Sequence, residues 1–86
     1  MAVISRFYGI LIRMFHNDHV PPHFHAVYGE YELVVGIDPI TVRYGDAPPR
    51  VRSMVVEWAG LHQQELMADW ERCRTARAPL PIAPLE

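Results

Sequence analysis

Half of the 86 residues are hydrophobic and the formal net charge is −2, which describes one small globular domain and not a disordered or membrane-spanning chain. At this size only about 60 % of the unfolded surface is buried on folding, so a second copy or a partner protein is expected to add stability. The slightly acidic balance argues against a general nucleic-acid footprint. No apolar run approaches the roughly 18 residues of a membrane span. The opening MAVISRF lacks the basic-then-apolar pattern of a secretion signal, and the single cysteine, Cys73, cannot form an internal disulfide. A cytoplasmic protein without a membrane partner is expected, with Cys73 packed inside a helix. All eight basic residues are arginine, which grips phosphate or carboxylate in a bidentate fork, although a GC-rich genome produces the same bias.

In chain order, residues 7–15 alternate, with Tyr8, Ile10, Ile12 and Met14 on one face and Arg13 on the other, and are read as one strand. A loop over residues 16–22 follows, stiffened by Pro21-Pro22. Two further strands, residues 23–28 and 31–38, meet across Gly29-Glu30, whose leading glycine is the signature of a type II′ hairpin turn. That turn sets a register: Tyr28 opposite Tyr31, Ala26 opposite Leu33 and Phe24 opposite Val35 form the core face. His25 opposite Val34, His23 opposite Gly36 and Val27 opposite Glu32 then lie on the other face. After the turn at Asp38-Pro39, residues 40–44 make a short strand whose Ile40, Val42 and Tyr44 can join the core face.

Pro48-Pro49 announce a helix over residues 50–76. Val51, Val55, Trp58, His62, Leu66 and Cys73 gather along one stripe of it, with Trp70 at the edge and Glu57, Gln64 and Glu71 opposite. Gly60 is its weak point, a place for close packing or a bend. Residues 78–86 are interrupted by three prolines and form an extended strap in which Leu80, Ile82 and Leu85 lie over apolar surface. The fold expected is α+β: residues 1–86 as a single domain, with an antiparallel sheet of three to four strands, one long C-terminal helix on one face (residues 1–77 together) and the Pro-rich tail.

The densest chemistry lies in HNDHVPPHFHA, residues 16–26, which holds four of the five histidines. His23 and His25, two apart on a strand, share one face about 7 Å apart and can offer a zinc-like divalent transition metal two nitrogens. His19, Asp18 or Glu32 could supply a third ligand. Another reading is a metal-free ribonuclease, with two histidines as general base and acid, Arg13 stabilising the phosphate and Asp18 orienting an imidazole; its substrate would be RNA. The plainest reading is that the histidines hydrogen-bond the loop into shape. His62, on the apolar stripe beside Glu65 and Asp69, reads as a histidine bonded to a carboxylate. Trp58 and Trp70 read as packing in preference to base stacking.

The segments ISRFYGILIRMF, NDHVPPHFHAVYGEYE and VEWAGLHQQELMADWERC together resemble an uncharacterised bacterial family, the domain-of-unknown-function family 4160. The resemblance implies a small cytosolic protein, encoded beside another small protein in a toxin-antitoxin-like arrangement. It implies no catalytic residues. The function expected is a protein-interaction module that pairs with itself as a homodimer, through an outward face carrying Phe15, Val27 and Val34, and with a small neighbouring gene product. The competing expectation is a histidine-dependent hydrolase or ribonuclease, with or without a metal.

Overall fold

The computed structural model describes residues 2–86. Five antiparallel strands form one sheet in sequence order: β1 (Ala2–Phe7), β2 (Ile10–Met14), β3 (His23–Tyr28), β4 (Tyr31–Ile37) and β5 (Ile40–Asp46). Two helices follow, α1 (Pro49–Leu61) and α2 (Gln63–Arg74). The α+β class and the antiparallel sheet are as expected, but the strand count and the single helix are corrected.

The extra strand comes from Tyr8-Gly9. Both residues have positive φ, +49° and +80°, the two-residue geometry of a type I′ hairpin. The chain therefore reverses where the alternation of residues 7–15 suggests continuity. Tyr8 is expelled from the core face and exposed, while Phe7 pairs with Ile10.

Between β3 and β4 the observed register matches the expected one at all six pairs, and Gly29 has the φ of +58° that the first loop residue of a type II′ turn needs. Phe24, Ala26, Leu33 and Val35 are buried, but Tyr31, at the hairpin tip, is exposed.

The last strand departs in one place. The β4–β5 register shifts between Val34 and Val35, which pair with Tyr44 and Val42, so Arg43 is the extra residue of a bulge. Ile40 and Val42 still pack against the core. Tyr44, expected there too, faces away opposite Val34 and is 65 % exposed.

A straight helix over residues 50–76 would run about 40 Å, longer than the 33 Å long axis of the molecule. The chain instead leaves helical geometry at His62 (φ −123°, ψ 25°), two residues after Gly60. Gln63 then donates its side-chain amide to the Ile37 carbonyl at 2.8 Å, tying the start of α2 to the end of β4. Trp58, fully buried, packs against Phe7 and Phe24, with ring centroids 5.4 and 5.7 Å away. Residues 77–86 have no regular structure and are strapped down by hydrogen bonds: Arg72 Nε donates to the Ala78 carbonyl and Arg77 N–H to the Arg72 carbonyl, each at 2.7 Å, and three more follow along the segment. Leu80 N–H donates to Asp69 Oδ1, Ile82 N–H to the Ile4 carbonyl and the Trp58 indole to the Ala83 carbonyl, each at 2.8 Å. Ile82 is buried and Leu85 packs on the core, but Leu80 is exposed. No described helix is long and apolar enough to cross a membrane.

Candidate metal centre

Alternation along β3 buries Phe24 and Ala26 and turns His23 and His25 to the opposite face. The preceding loop is pinned at both ends. Asn17 N–H donates to the Cys73 carbonyl of α2 at 3.2 Å, and the Pro22 carbonyl accepts from Ile37 N–H at 3.1 Å. This path carries Asp18 over the histidines, and one ligating atom from each of Asp18, His23 and His25 lies within 4.8 Å of the others. Their side chains are 20 %, 11 % and 15 % exposed, so the group is shielded but reachable.

Hydrogen bonding settles how the imidazoles present themselves. His23 Nδ1 lies 2.8 Å from the Pro21 carbonyl, which can only accept, so Nδ1 carries the proton. His25 Nδ1 lies 3.0 Å from Glu32 Oε2, and the same reasoning assigns its proton. In the neutral form of either ring the remaining lone pair would be on Nε2. The two Nε2 atoms converge on one oxygen, Asp18 Oδ2, at 2.9 and 3.5 Å. His25 Nε2 is buried and makes no hydrogen bond. An Nε2 this close to a carboxylate oxygen either donates a proton to it, as the 2.9 Å hydrogen-bond distance from His23 Nε2 to Asp18 Oδ2 allows, or shares a cation with it. Two ligands of a tetrahedral zinc stand about 3.3 Å apart for bonds near 2.0 Å, and the two measured distances bracket that spacing.

Asp18 is suited to the same role. Burial acts to raise its pKa, but the His19 amide, donating to Oδ1 at 2.8 Å, and the neighbouring His23 and His25 outweigh it and hold the carboxyl below its ordinary value. At Glu32, burial is likewise outweighed by hydrogen bonds from Arg13 and His25, and its carboxyl also sits low.

The other expected participants are placed differently. Glu32 is not part of the three-residue cluster. Its Oε2 accepts from both His25 and Arg13, the latter at 3.2 Å, so it orients a ligand from behind. Arg13, opposite His25 in the β2–β3 register, is occupied by Glu32 and lies over the Phe15 ring. His19 contributes its backbone amide, and its exposed side chain lines the adjoining pocket. His62 is remote, at the helix junction, bonded to Glu65 at 2.6 Å and set against Trp58. Cys73 is buried, and burial and Asp69 push its thiol pKa up. Trp70, expected only as edge packing, backs the His23 ring at 5.2 Å.

Sequence reasoning missed the pocket itself. A cavity of about 210 Å³ adjoins the three candidate ligands, completed by Val34, Arg43 and Tyr44 among others. Arg43 and Tyr44 reach it through the β5 bulge, and Gly45 is the one local signal that could have flagged it. At φ +94°, a Cβ on Gly45 would stand 2.0 Å from the Glu32 carbonyl oxygen.

A family model described as Domain of unknown function (DUF4160) matches residues 9–71. The chain belongs to the DUF4160 family. The span matched to DUF4160 contains Arg13, Asp18, His23, His25, Glu32 and Arg43, whereas β1 and the tail strap lie outside it. No curated protein and no solved structure matches the chain.

Proposed function

We propose that this DUF4160 domain binds a divalent transition metal through Asp18, His23 and His25. The observation that carries the reading is the convergence of two Nε2 atoms on one carboxylate oxygen, while each Nδ1 faces an acceptor behind it. Metal-ligating histidines have this outer arrangement as a rule, because the second hydrogen bond fixes the tautomer and the ring orientation. Two histidines and one carboxylate suit zinc or a non-haem iron(II) site, and three protein ligands leave coordination positions for water or a further ligand. Such a metal would supply Lewis acidity at the mouth of the pocket.

Two specific observations favour this over the alternatives. A general base and a general acid working on either side of a phosphate need separated nitrogens, whereas these two point at the same atom. Phe15, counted as outward apolar surface available to a partner, is packed against the His25 ring at 4.7 Å and the Arg13 guanidinium at 5.4 Å.

Protein purified without a histidine tag and analysed for metals, then stripped and titrated with cobalt(II), tests the proposal. One metal per chain is expected, with visible cobalt bands that disappear in Asp18→Ala and His25→Ala while both variants remain folded. Sub-stoichiometric metal and featureless cobalt spectra would overturn it.

A further inference from the structure

We propose that the pocket beside this centre is a subsite for a phosphomonoester, whose phosphoryl group is held between the metal and the Arg43 guanidinium. The inference rests on the metal reading. Arg43 comes to this face as the extra residue of the β5 bulge. Its stem runs close over Gly36, which stands directly opposite His23: a Cβ at Gly36 would lie 3.2 Å from the Pro39 carbonyl oxygen and 3.4 Å from Arg43 Cδ. Among the described residues the side chains of Arg6, Arg43, Arg50 and Arg52 make no hydrogen bond or ion pair, unlike Arg13, Arg72, Arg74 and Arg77, and of the four without partners Arg43 is the one that lines this pocket. It is exposed and lines the pocket with its fork unused. A guanidinium fork pairs with two oxygens of one anionic group.

Volume and charge narrow the ligand. The cavity of about 210 Å³ is below the roughly 300 Å³ at which pockets begin to enclose whole small molecules, so it takes one group of a ligand. A divalent metal facing the Asp18 carboxylate leaves a single positive charge, and Arg43 adds another, while Glu32 and Arg13 neutralise each other. A phosphomonoester carries nearly two negative charges at neutral pH, which matches; a carboxylate or a phosphodiester carries only one. The organic part of the ester meets Val20 and Tyr44, which line the pocket and are 75 % and 65 % exposed.

The test uses the full chain loaded with cobalt(II) and titrated with methyl phosphate, dimethyl phosphate, inorganic phosphate and acetate, followed by the visible spectrum. Methyl phosphate is expected to shift the bands saturably. Arg43→Ala should bind it about tenfold or more weakly, the loss of a charge-assisted pair, with cobalt stoichiometry unchanged, and Arg43→Lys should recover part of the loss. Equal affinity for acetate or dimethyl phosphate would overturn the assignment, as would an Arg43→Ala protein that binds methyl phosphate normally. Tighter binding of inorganic phosphate than of methyl phosphate would remove the ester's organic part from the proposal. Cobalt bands that ignore every anion would sink this inference and leave the metal reading standing, whereas absence of the bands would sink both.

Discussion

Glu32 Oε2 accepts a hydrogen bond from His25 Nδ1 at 3.0 Å, and so holds Nε2 of that ring toward Asp18. In the proposed centre Glu32 would thus act without being a ligand. Glu32→Ala is expected to weaken metal binding by about 10–100-fold, the usual effect of removing such a partner. Glu32→Gln, which retains an acceptor oxygen, should lose less. Competition titrations against a chelator measure both, and an unchanged affinity in Glu32→Ala would show that His25 does not depend on this bond.

The two histidines and the core leucine opposite Ala26 should separate site from scaffold. Leu33 is fully buried, and Leu33→Ala is expected to cost about 2–5 kcal/mol. His25 lies on the other face, and His25→Ala in metal-free protein should cost less than about 1 kcal/mol, because the loss of the Glu32 bond and the Phe15 contact is offset by removing the buried, unpartnered Nε2. His23→Ala should fall between them at about 1–2 kcal/mol, because it removes the bond to the Pro21 carbonyl and the contact with Trp70. Urea denaturation in the presence of a chelator ranks the three; a His25 variant as unstable as the leucine variant would make that histidine structural.

Gly45 carries the bulge that delivers Arg43 and Tyr44. Its φ of +94° and the 2.0 Å approach of a built Cβ to the Glu32 carbonyl oxygen leave no room for a side chain. Gly45→Ala is expected to destabilise the protein by about 3 kcal/mol or more, since backbone must move. Gly60→Ala, at an open helical position, should stabilise by about 0.5–1 kcal/mol. Thermal melts of the pair read opposite signs if these assignments hold.

Asp69 is 2 % exposed; its Oδ1 accepts from Leu80 N–H, and its Oδ2 has no partner. Burial pushes its pKa up, aided by Glu65 and opposed by the Leu80 amide and Arg72. A folded pKa above the unfolded value of about 3.9 means that the native state binds this proton more tightly. The ionised group therefore costs stability above its folded pKa, and the cost fades as the pH falls toward about 4. Asp69→Asn, which keeps an oxygen for Leu80, should be more stable than the parent at pH 7 by up to about 2 kcal/mol and equal to it near pH 4. Denaturation midpoints of both proteins at pH 7, 5.5 and 4 check this; a less stable variant at pH 7 would mean that the charge is compensated.

Local chemistry determined much of this molecule from the sequence alone. Gly29-Glu30 and the flanking apolar alternation specify a hairpin register, and that register alone puts His23 and His25 on the face away from Leu33 and Val35. The same kind of reasoning gave continuity at Tyr8-Gly9, where a tyrosine takes a positive φ that its side chain disfavours and only the pairing of Phe7 with Ile10 sustains it. It also gave one helix, because the stripe through Val55, Trp58 and Leu66 continues past His62, whereas the chain leaves helical geometry at that residue.

Tertiary structure decided which candidate ligands meet. Asp18, His19 and Glu32 stand on an equal footing in the sequence as third partners for the histidines. The bonds from Asn17 to Cys73 and from Pro22 to Ile37 set the loop path that carries Asp18 over both Nε2 atoms, and Arg13 turns Glu32 into a support. Arg43 and Tyr44 come to the pocket through a single extra residue in β5, accommodated where Gly45 touches the Glu32 backbone. Turns and alternation depend on residues a few positions apart, so they can be read along the chain. The third ligand and the pocket depend on contacts across tens of residues, which exist only once the sheet and α2 have packed.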